Sequence, residues 1–380
     1  MQKIIVVGGG LVGLSIAWRI TQECAPGGVQ VTILDPTPGR GASWIAGGML
    51  TPISEAWFGE EELLRLNLES LALWPEFAAE LETFSGEKIG LQSEGTLHIA
   101  LDADDLRHLE RVRDFQTSLG LNVTALTRSE LSRMEPFLTA HALGASFVLS
   151  DYSVDNRALV SALIVACQKS GVQFINERVS SFLVDGTHVV GVTTTSGMSI
   201  AAENCVLAAG AWSSELLNNL CTLPQARIRP IKGEILRLRG PRAIISHTIR
   251  ATVHGIPIYL VPRADGEIVV GATQLERGFD TTSTAGGVYE LLRDAREVLP
   301  FVNEMELLEC SAGLRPGSFD NSPIIGHLPG VDGLILASGH YRNGVLLTPI
   351  TAAIGSALVN KSALPEYAHL VSLDRLGARQ

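Results

Sequence analysis

The sequence is short of charge, short of aromatics and short of cysteine. Charged residues make up 18% of it and aromatic residues 6%. The five cysteines, Cys24, Cys167, Cys205, Cys221 and Cys310, form no CxxC pair and are odd in number, so neither a disulfide framework nor a zinc site is expected. They read as small buried thiols in a reducing compartment. No run of Lys and Arg interleaved with aromatics occurs and the net charge is -11, so a phosphate backbone would be repelled and nucleic acid is not an expected partner. The apolar run from Val345 to Val359 is short for a membrane span and carries Thr348, Pro349 and Thr351, so it reads as a buried helix. Lys3 followed by Ile4 to Trp18 superficially resembles a secretory signal, but the glycines Gly8 to Gly10 argue against one. A cytoplasmic location and no membrane partner are the expectation.

What is present is apolar material, 46% of 380 residues, enough for a large core and for two domains in one chain. Lys3 to Val7 is a continuous apolar run ending in glycine, as a buried parallel strand should be, and Leu11 to Thr21 follows with helical spacing. Val29 to Leu34 closes a βαβ unit at Asp35. Glu60 to Phe84 predicts a long helix bent at Pro75, and Asn156 to Ser170 another, capped by Asp155 or Asn156 and stopped by Gly171. Val172–Ile175, Val179–Val184, Val189–Thr195 and Met198–Ala201 read as an antiparallel meander feeding the strand Cys205–Ala209. Ile228 to Arg239 and Ile256 to Ala272 alternate apolar with polar, the latter around an Asp265-Gly266 turn, as hairpin strands with one face toward solvent or a ligand do. Leu334–Ala337 is a last strand, and Gly339 to Gly344 is expected to open the last helix. Parallel-sheet elements at the start, middle and end, with mixed material between, imply an interleaved α/β architecture.

The strongest motif is Gly8-Gly9-Gly10-Leu11-Val12-Gly13, a GxGxxG placed after a strand and opening a helix. Gly8 permits the tight turn, Gly10 lets backbone approach a pyrophosphate, and Gly13 lets helix and strand pack closely. Asp35 ends the second strand, about twenty residues on, where an acid reaches an adenosine ribose. This does not separate NAD from FAD. The small-residue stretch from Gly39 to Met49 suits a long cofactor lying against backbone. Gly339 to Gly344 would bring donors to the flavin edge that gains negative charge on reduction.

Together with Ala46-Gly47-Gly48-Met49-Leu50, Ala208 to Ser213, Pro230-Ile231-Lys232-Gly233-Glu234, Tyr259-Leu260-Val261-Pro262-Arg263, Ala312 to Gly317 and Gly339 to Leu347, these residues carry a resemblance over nearly the whole chain. The chain resembles the D-amino acid oxidase superfamily of FAD-dependent oxidoreductases, and within it the glycine oxidase branch tied to thiamine biosynthesis. The resemblance implies a glutathione-reductase type, Rossmann-like FAD-binding domain (1–85, 151–222 and 312–380) interleaved with an α+β substrate domain (86–150 and 223–311) built on a mixed or antiparallel sheet.

It further implies noncovalent FAD held by Gly8, Gly10, Leu11, Val12 and Gly13, by Asp35 and Pro36 at the ribose, and by Ala42, Ser43, Gly47, Gly48 and Met49 toward the ring. Val179 would meet the adenine through its backbone, and Gly210, after the strand Cys205–Ala209, belongs to the same site. His340, Tyr341, Arg342, Asn343, Gly344, Val345 and Leu346 would run along the pyrimidine edge. Arg315 would grip the substrate carboxylate, with Tyr259, Arg342 and Met49 around it. A guanidinium suits that task because it offers two parallel charge-assisted hydrogen bonds.

The activity implied is oxidation of glycine, sarcosine or a small D-amino acid to an imine, with oxygen reduced to hydrogen peroxide. The imine would hydrolyse or pass to a thiazole synthase, and homotetramers are the family's tendency. A D-amino acid dehydrogenase, a sarcosine oxidase and a flavin-binding assembly protein without turnover are the alternatives. Because hydride leaves for flavin N5, no dedicated catalytic side chain is expected, and His98, His108 and His141 read as surface or packing residues.

Overall fold

In the computed structural model, residues 1–24, 27–218, 220, 227–242 and 244–377 are described. Cys221 lies outside them. The other four cysteines carry free thiols, and burial pushes the Cys167 and Cys205 thiols up to about 12, so both are inert apolar packing.

Two sheets organise the chain. The first has nine strands, with Gln2–Val7 at its centre between Val29–Leu34 and Asn204–Leu207, both parallel to it. Val331–Ser338 extends the parallel array on one side and Gln173–Ile175 on the other. These central strands are near-continuous apolar runs because both of their faces are covered. Helix Leu11–Glu23 packs against Asn156–Lys169 and Thr348–Asn360. Trp18 is fully buried and meets Phe77, from helix Glu61–Ser85, edge-on at 5.7 Å. Each such buried side chain contributes about 1.5–3 kcal/mol.

The expected meander is corrected at its first strand. Gln173–Ile175 pairs in parallel with Val29–Leu34, whereas Val179–Asp185 and Ser199–Ala201 each pair antiparallel with His188–Thr194. The reason is the preceding helix, Asn156–Lys169, which lies on the sheet and returns the chain to its edge in the same direction. Asp155 is that helix's cap, its carboxylate accepting from Arg157 N and Ala158 N, and this frees the Asn156 side chain for another task.

The second sheet has eight strands, in the order Glu306–Gly317, Arg229–Arg239, Glu267–Gly271, Ile256–Pro262, Thr248–Val253, Thr96–Ala100, Gly144–Val148 and Thr124–Thr127. All of its pairs are antiparallel except Thr248–Val253 with Thr96–Ala100, so the sheet is mixed. Strand Glu306–Gly317 stays in this sheet past residue 312, because Arg229–Arg239 pairs with it along its whole length. We propose that the chain folds as two interleaved units, one around each sheet, with that strand belonging wholly to the second. Among the described residues, no helix is long and apolar enough to cross a membrane.

Candidate active site

At the C-terminal end of Gln2–Val7 the chain turns at Gly8, whose φ is 109°. Helix Leu11–Glu23 then begins without a side-chain cap, and Leu11 N donates to Ser43 Oγ at 3.0 Å. An uncapped helix N-terminus behind a glycine turn presents N–H groups and a positive dipole end, which is what a diphosphate needs. Asp35 accepts from Gly9 N at 2.7 Å and from Thr37 N at 2.8 Å, so its carboxylate ties the glycine turn to the turn that carries the exposed Pro36. Val179, buried in the same apolar cluster as Ile5, Val7 and Leu34, starts the strand Val179–Asp185. Gly210, at φ 55°, accepts Ser338 Oγ at 3.0 Å.

Ala42–Ile45 is one short helical turn, and sequence reading missed what holds it and the glycines after it. Asn156 Nδ2 donates to Ser43 O and Trp44 O, both at 2.9 Å. Arg263 Nη2 donates to Gly47 O at 2.7 Å and to Asn156 Oδ1 at 3.2 Å, and Arg237 Nη2 reaches the same oxygen at 3.2 Å. Arg237 of the second sheet and Arg263, just past its strand Ile256–Pro262, thus clamp the segment carrying Gly47, Gly48 and Met49. Burial lowers the Arg263 guanidinium to about 10, which still leaves it charged at neutral pH. The available signal was Arg263 at the end of the Tyr259–Arg263 motif.

The loop after Val331–Ser338 differs from its expected form. Tyr341–Asn343 is a 3-10 turn with Tyr341 at φ 47°, and the α-helix that follows begins only at Thr348, where Pro349 fits its first turn. Leu346 O accepts from Ser70 Oγ at 2.7 Å and Trp74 Nε1 at 2.8 Å, which fastens His340 to Leu346 to the long helix. His340 is buried, with Nε2 2.9 Å from Thr351 Oγ1 and Nδ1 without a partner among the described residues. Burial pulls its imidazole down to about 3, so it is neutral. Asn343 and Val345 are buried, Gly344 is half-buried, and Arg342 points outward to Glu60 at 3.6 Å.

Of the residues expected around a substrate, Tyr259 and Arg315 lie on one face of the second sheet. Direct register partners point the same way, and register runs from Ile235 to Gly271, Tyr259, Arg250 and His98. A side chain at Gly271 would overlap the Tyr259 ring, so that glycine makes the space the phenol fills. Tyr259, Met49 and Ile45 pack with Ile235, Val261 and Val269. Burial raises the phenol above its ordinary value, with Arg315 opposing, so Tyr259 is a neutral O–H donor at pH 7. Arg315 is half-buried, and among the described residues no carboxylate lies within ion-pair reach of it. The structure thus brings together Met49, Gly47, Tyr259 and Arg315, whereas Arg342 has its own acidic partner.

One further charged residue in this row, Arg250, was not foreseen. Arg250 Nη1 donates to Ser54 O at 3.1 Å and lies 3.2 Å from Glu55. Ser54 and Ile53 in turn donate to Asp151, a fully buried carboxyl that burial pushes up to about 7. The fold favours its protonated form, so its contribution to stability is intact below the unfolded value of 3.8 and is lost as pH rises through about 7. Asp151→Asn should therefore flatten the fall of Tm between pH ~4 and ~7, even though it gives up a hydrogen bond. Thermal unfolding across that range checks it; an unchanged slope would exonerate Asp151. His98 and His340 act with the opposite sign. Both are pulled down to about 3, chiefly by burial, so their stabilisation is present above pH ~6.5 and fades as pH falls through about 3.

A sequence profile of the family described as "FAD dependent oxidoreductase" matches residues 3–358. The chain belongs to this family. The oxidoreductase is 34% identical over 360 residues to the glycine oxidase of Geobacillus kaustophilus, covering 94% of this chain and 93% of that protein. It is 34% identical over 377 residues to the bifunctional protein ThiO/ThiG of Synechocystis sp., covering 98% of this chain and 54% of that longer protein. The crystal structure of the Geobacillus kaustophilus glycine oxidase superposes with a TM-score of 0.87 at 32% identity, over 96% of each chain. The α/β fold and the FAD dependence of the oxidoreductase follow. The uncapped helix end, the Asp35 turn and the unpartnered His340 Nδ1 are features an FAD would complete.

Proposed function

We propose that the oxidoreductase oxidises the carbon–nitrogen bond of glycine, and of sarcosine or small D-amino acids less well. The observation that carries this reading is Arg315, a guanidinium with no acidic partner among the described residues, near the Tyr259 phenol that itself packs with the apolar Met49 and Ile45. The likeness to glycine oxidases supports it.

When bound, FAD supplies the acceptor for two electrons. The protein's residues do the rest by placement. Arg315 takes the carboxylate in a forked, charge-assisted pair, which fixes the α-carbon. Tyr259 adds a neutral donor above it, and the Met49 and Ile45 side chains exclude water and bulk. The amine loses a hydride from carbon and a proton from nitrogen, giving an imine. Water converts the imine to glyoxylate and ammonia, and oxygen takes the electron pair to become hydrogen peroxide. Fusion of the corresponding region to a second unit in the Synechocystis bifunctional protein ThiO/ThiG supports a second fate, transfer of the imine to a thiazole-forming partner.

The test is turnover of glycine, sarcosine, D-alanine and D-proline by protein of known FAD content, with peroxide and oxo-acid detection, in air and with an artificial acceptor. Glycine should lead with oxygen alone. Turnover only with the artificial acceptor would make the protein a dehydrogenase, and no turnover of any of the four would sink the reading.

A further inference from the structure

We infer that the buried Lys232 and Glu234 and the half-buried Thr273 form a positioning device that aims Arg315, an inference that rests on the reading of Arg315 as the carboxylate anchor. The guanidinium is held by backbone. Arg315 Nη1 donates to Thr273 O at 3.1 Å and more weakly to Lys232 O at 3.5 Å, and the group lies across Gly233, where any side chain would overlap it. Its aim is therefore set by where the chain at residues 232, 233 and 273 runs.

That path is fixed by an uncommon set of bonds. Thr273 N donates to Glu234 O at 3.2 Å, its hydroxyl donates to Glu234 Oε2 at 3.1 Å, and Glu234 N donates to that hydroxyl at 2.8 Å. Lys232 and Leu275 exchange both backbone hydrogen bonds at 2.9 Å. Glu234 Oε1 then takes Thr284 N at 2.7 Å and Thr284 Oγ1 at 3.0 Å, while Lys232 Nζ reaches Asp280 at 2.7 Å and Glu234 at 3.7 Å. Lys232 and Glu234 are both fully buried. The Lys232 ammonium holds the Asp280 carboxyl far below its ordinary range, so that partner stays anionic at any working pH.

Stability alone is a poor reason to bury a lysine and a glutamate, since desolvation offsets most of their attraction. Their arrangement does something an apolar pair could not. It ties residues 273–284 to strand Arg229–Arg239 at several points, and so presents the Thr273 carbonyl to Arg315 at one place. With Nη1 occupied there, the remaining guanidinium edge is left to face a carboxylate. A displacement of about 1 Å in such an anchor is enough to cost activity.

The test is a double-mutant cycle on FAD-loaded protein, read as the Kd of glycolate, a non-reacting carboxylate, from its perturbation of the flavin spectrum, and as KM and kcat for glycine. Thr273→Val keeps the carbonyl and removes the hydroxyl bonds to Glu234. Alone it should raise the glycolate Kd and the glycine KM about tenfold with kcat changed far less. In an Arg315→Ala background it should change them by less than about twofold, because the device acts only through Arg315. Lys232→Met should behave the same way; where it fails to fold, Thr273→Val decides. An equal effect in both backgrounds, or none in the first, overturns the inference. Should Arg315→Ala itself bind glycolate like the unsubstituted protein, the anchor reading falls and this one with it.

Discussion

Arg315→Ala should leave FAD bound at full stoichiometry and lower kcat/KM for glycine by about 10²- to 10³-fold, the loss of two charge-assisted bonds at roughly 1.5–3 kcal/mol each with partial compensation by water. The residue sits on the second sheet, and its side chain is held by the carbonyls of Thr273 and Lys232 rather than by an acid. Its removal therefore leaves no buried carboxylate unpaired, and the fold should tolerate it. Arg315→Lys should recover only a small part, since an ammonium is a point charge without the planar fork. The checks are the flavin absorbance after dilution and steady-state kinetics over a range of glycine wide enough to reach saturation. Kinetics indistinguishable from the unsubstituted protein would remove Arg315 from the site.

Gly13→Ala should abolish FAD uptake and lower Tm. Alanine normally stabilises a helix by about 1 kcal/mol over glycine. Here the sign reverses, because a methyl at residue 13 would overlap the carbonyl oxygen of Gly8 and press on Val6. Helix Leu11–Glu23 would have to lift off strand Gln2–Val7, a strain of about 1–3 kcal/mol. The lift would also move the N–H groups meant for the diphosphate. Gly286→Ala is the matched control. It lies in helix Ala285–Val298 with nothing near its would-be methyl, so it should be neutral or mildly stabilising. Absorbance of the purified proteins and thermal unfolding read both; yellow Gly13→Ala protein with one FAD per chain would refute the prediction.

The glycine turn, the βαβ unit around it and the hairpin strands were legible because each is a local pattern. An apolar run, a glycine spacing or a period-2 alternation reports on a backbone within a few residues of itself. The same logic explains the errors. Gln173–Ile175 carries no mark of whether its neighbour runs parallel or antiparallel; that depends on which edge the preceding helix returns it to. Gly339 to Gly344 looked like a helix start because glycine after a strand often is one, yet the turn is closed first by Tyr341–Asn343.

By itself the sequence determined the class of the protein, the glycine turn at which we propose a dinucleotide lies, and the residue types able to hold an amino acid. Tertiary structure alone decided which charges work together. Arg250 with Glu55, Asn156 with Arg237 and Arg263, and Arg315 with Thr273 join residues from 42 to 195 positions apart, and nothing along the chain links them. A charge–charge or charge–dipole contact is fixed by distance in space, which the register of the second sheet sets and the one-dimensional pattern does not encode.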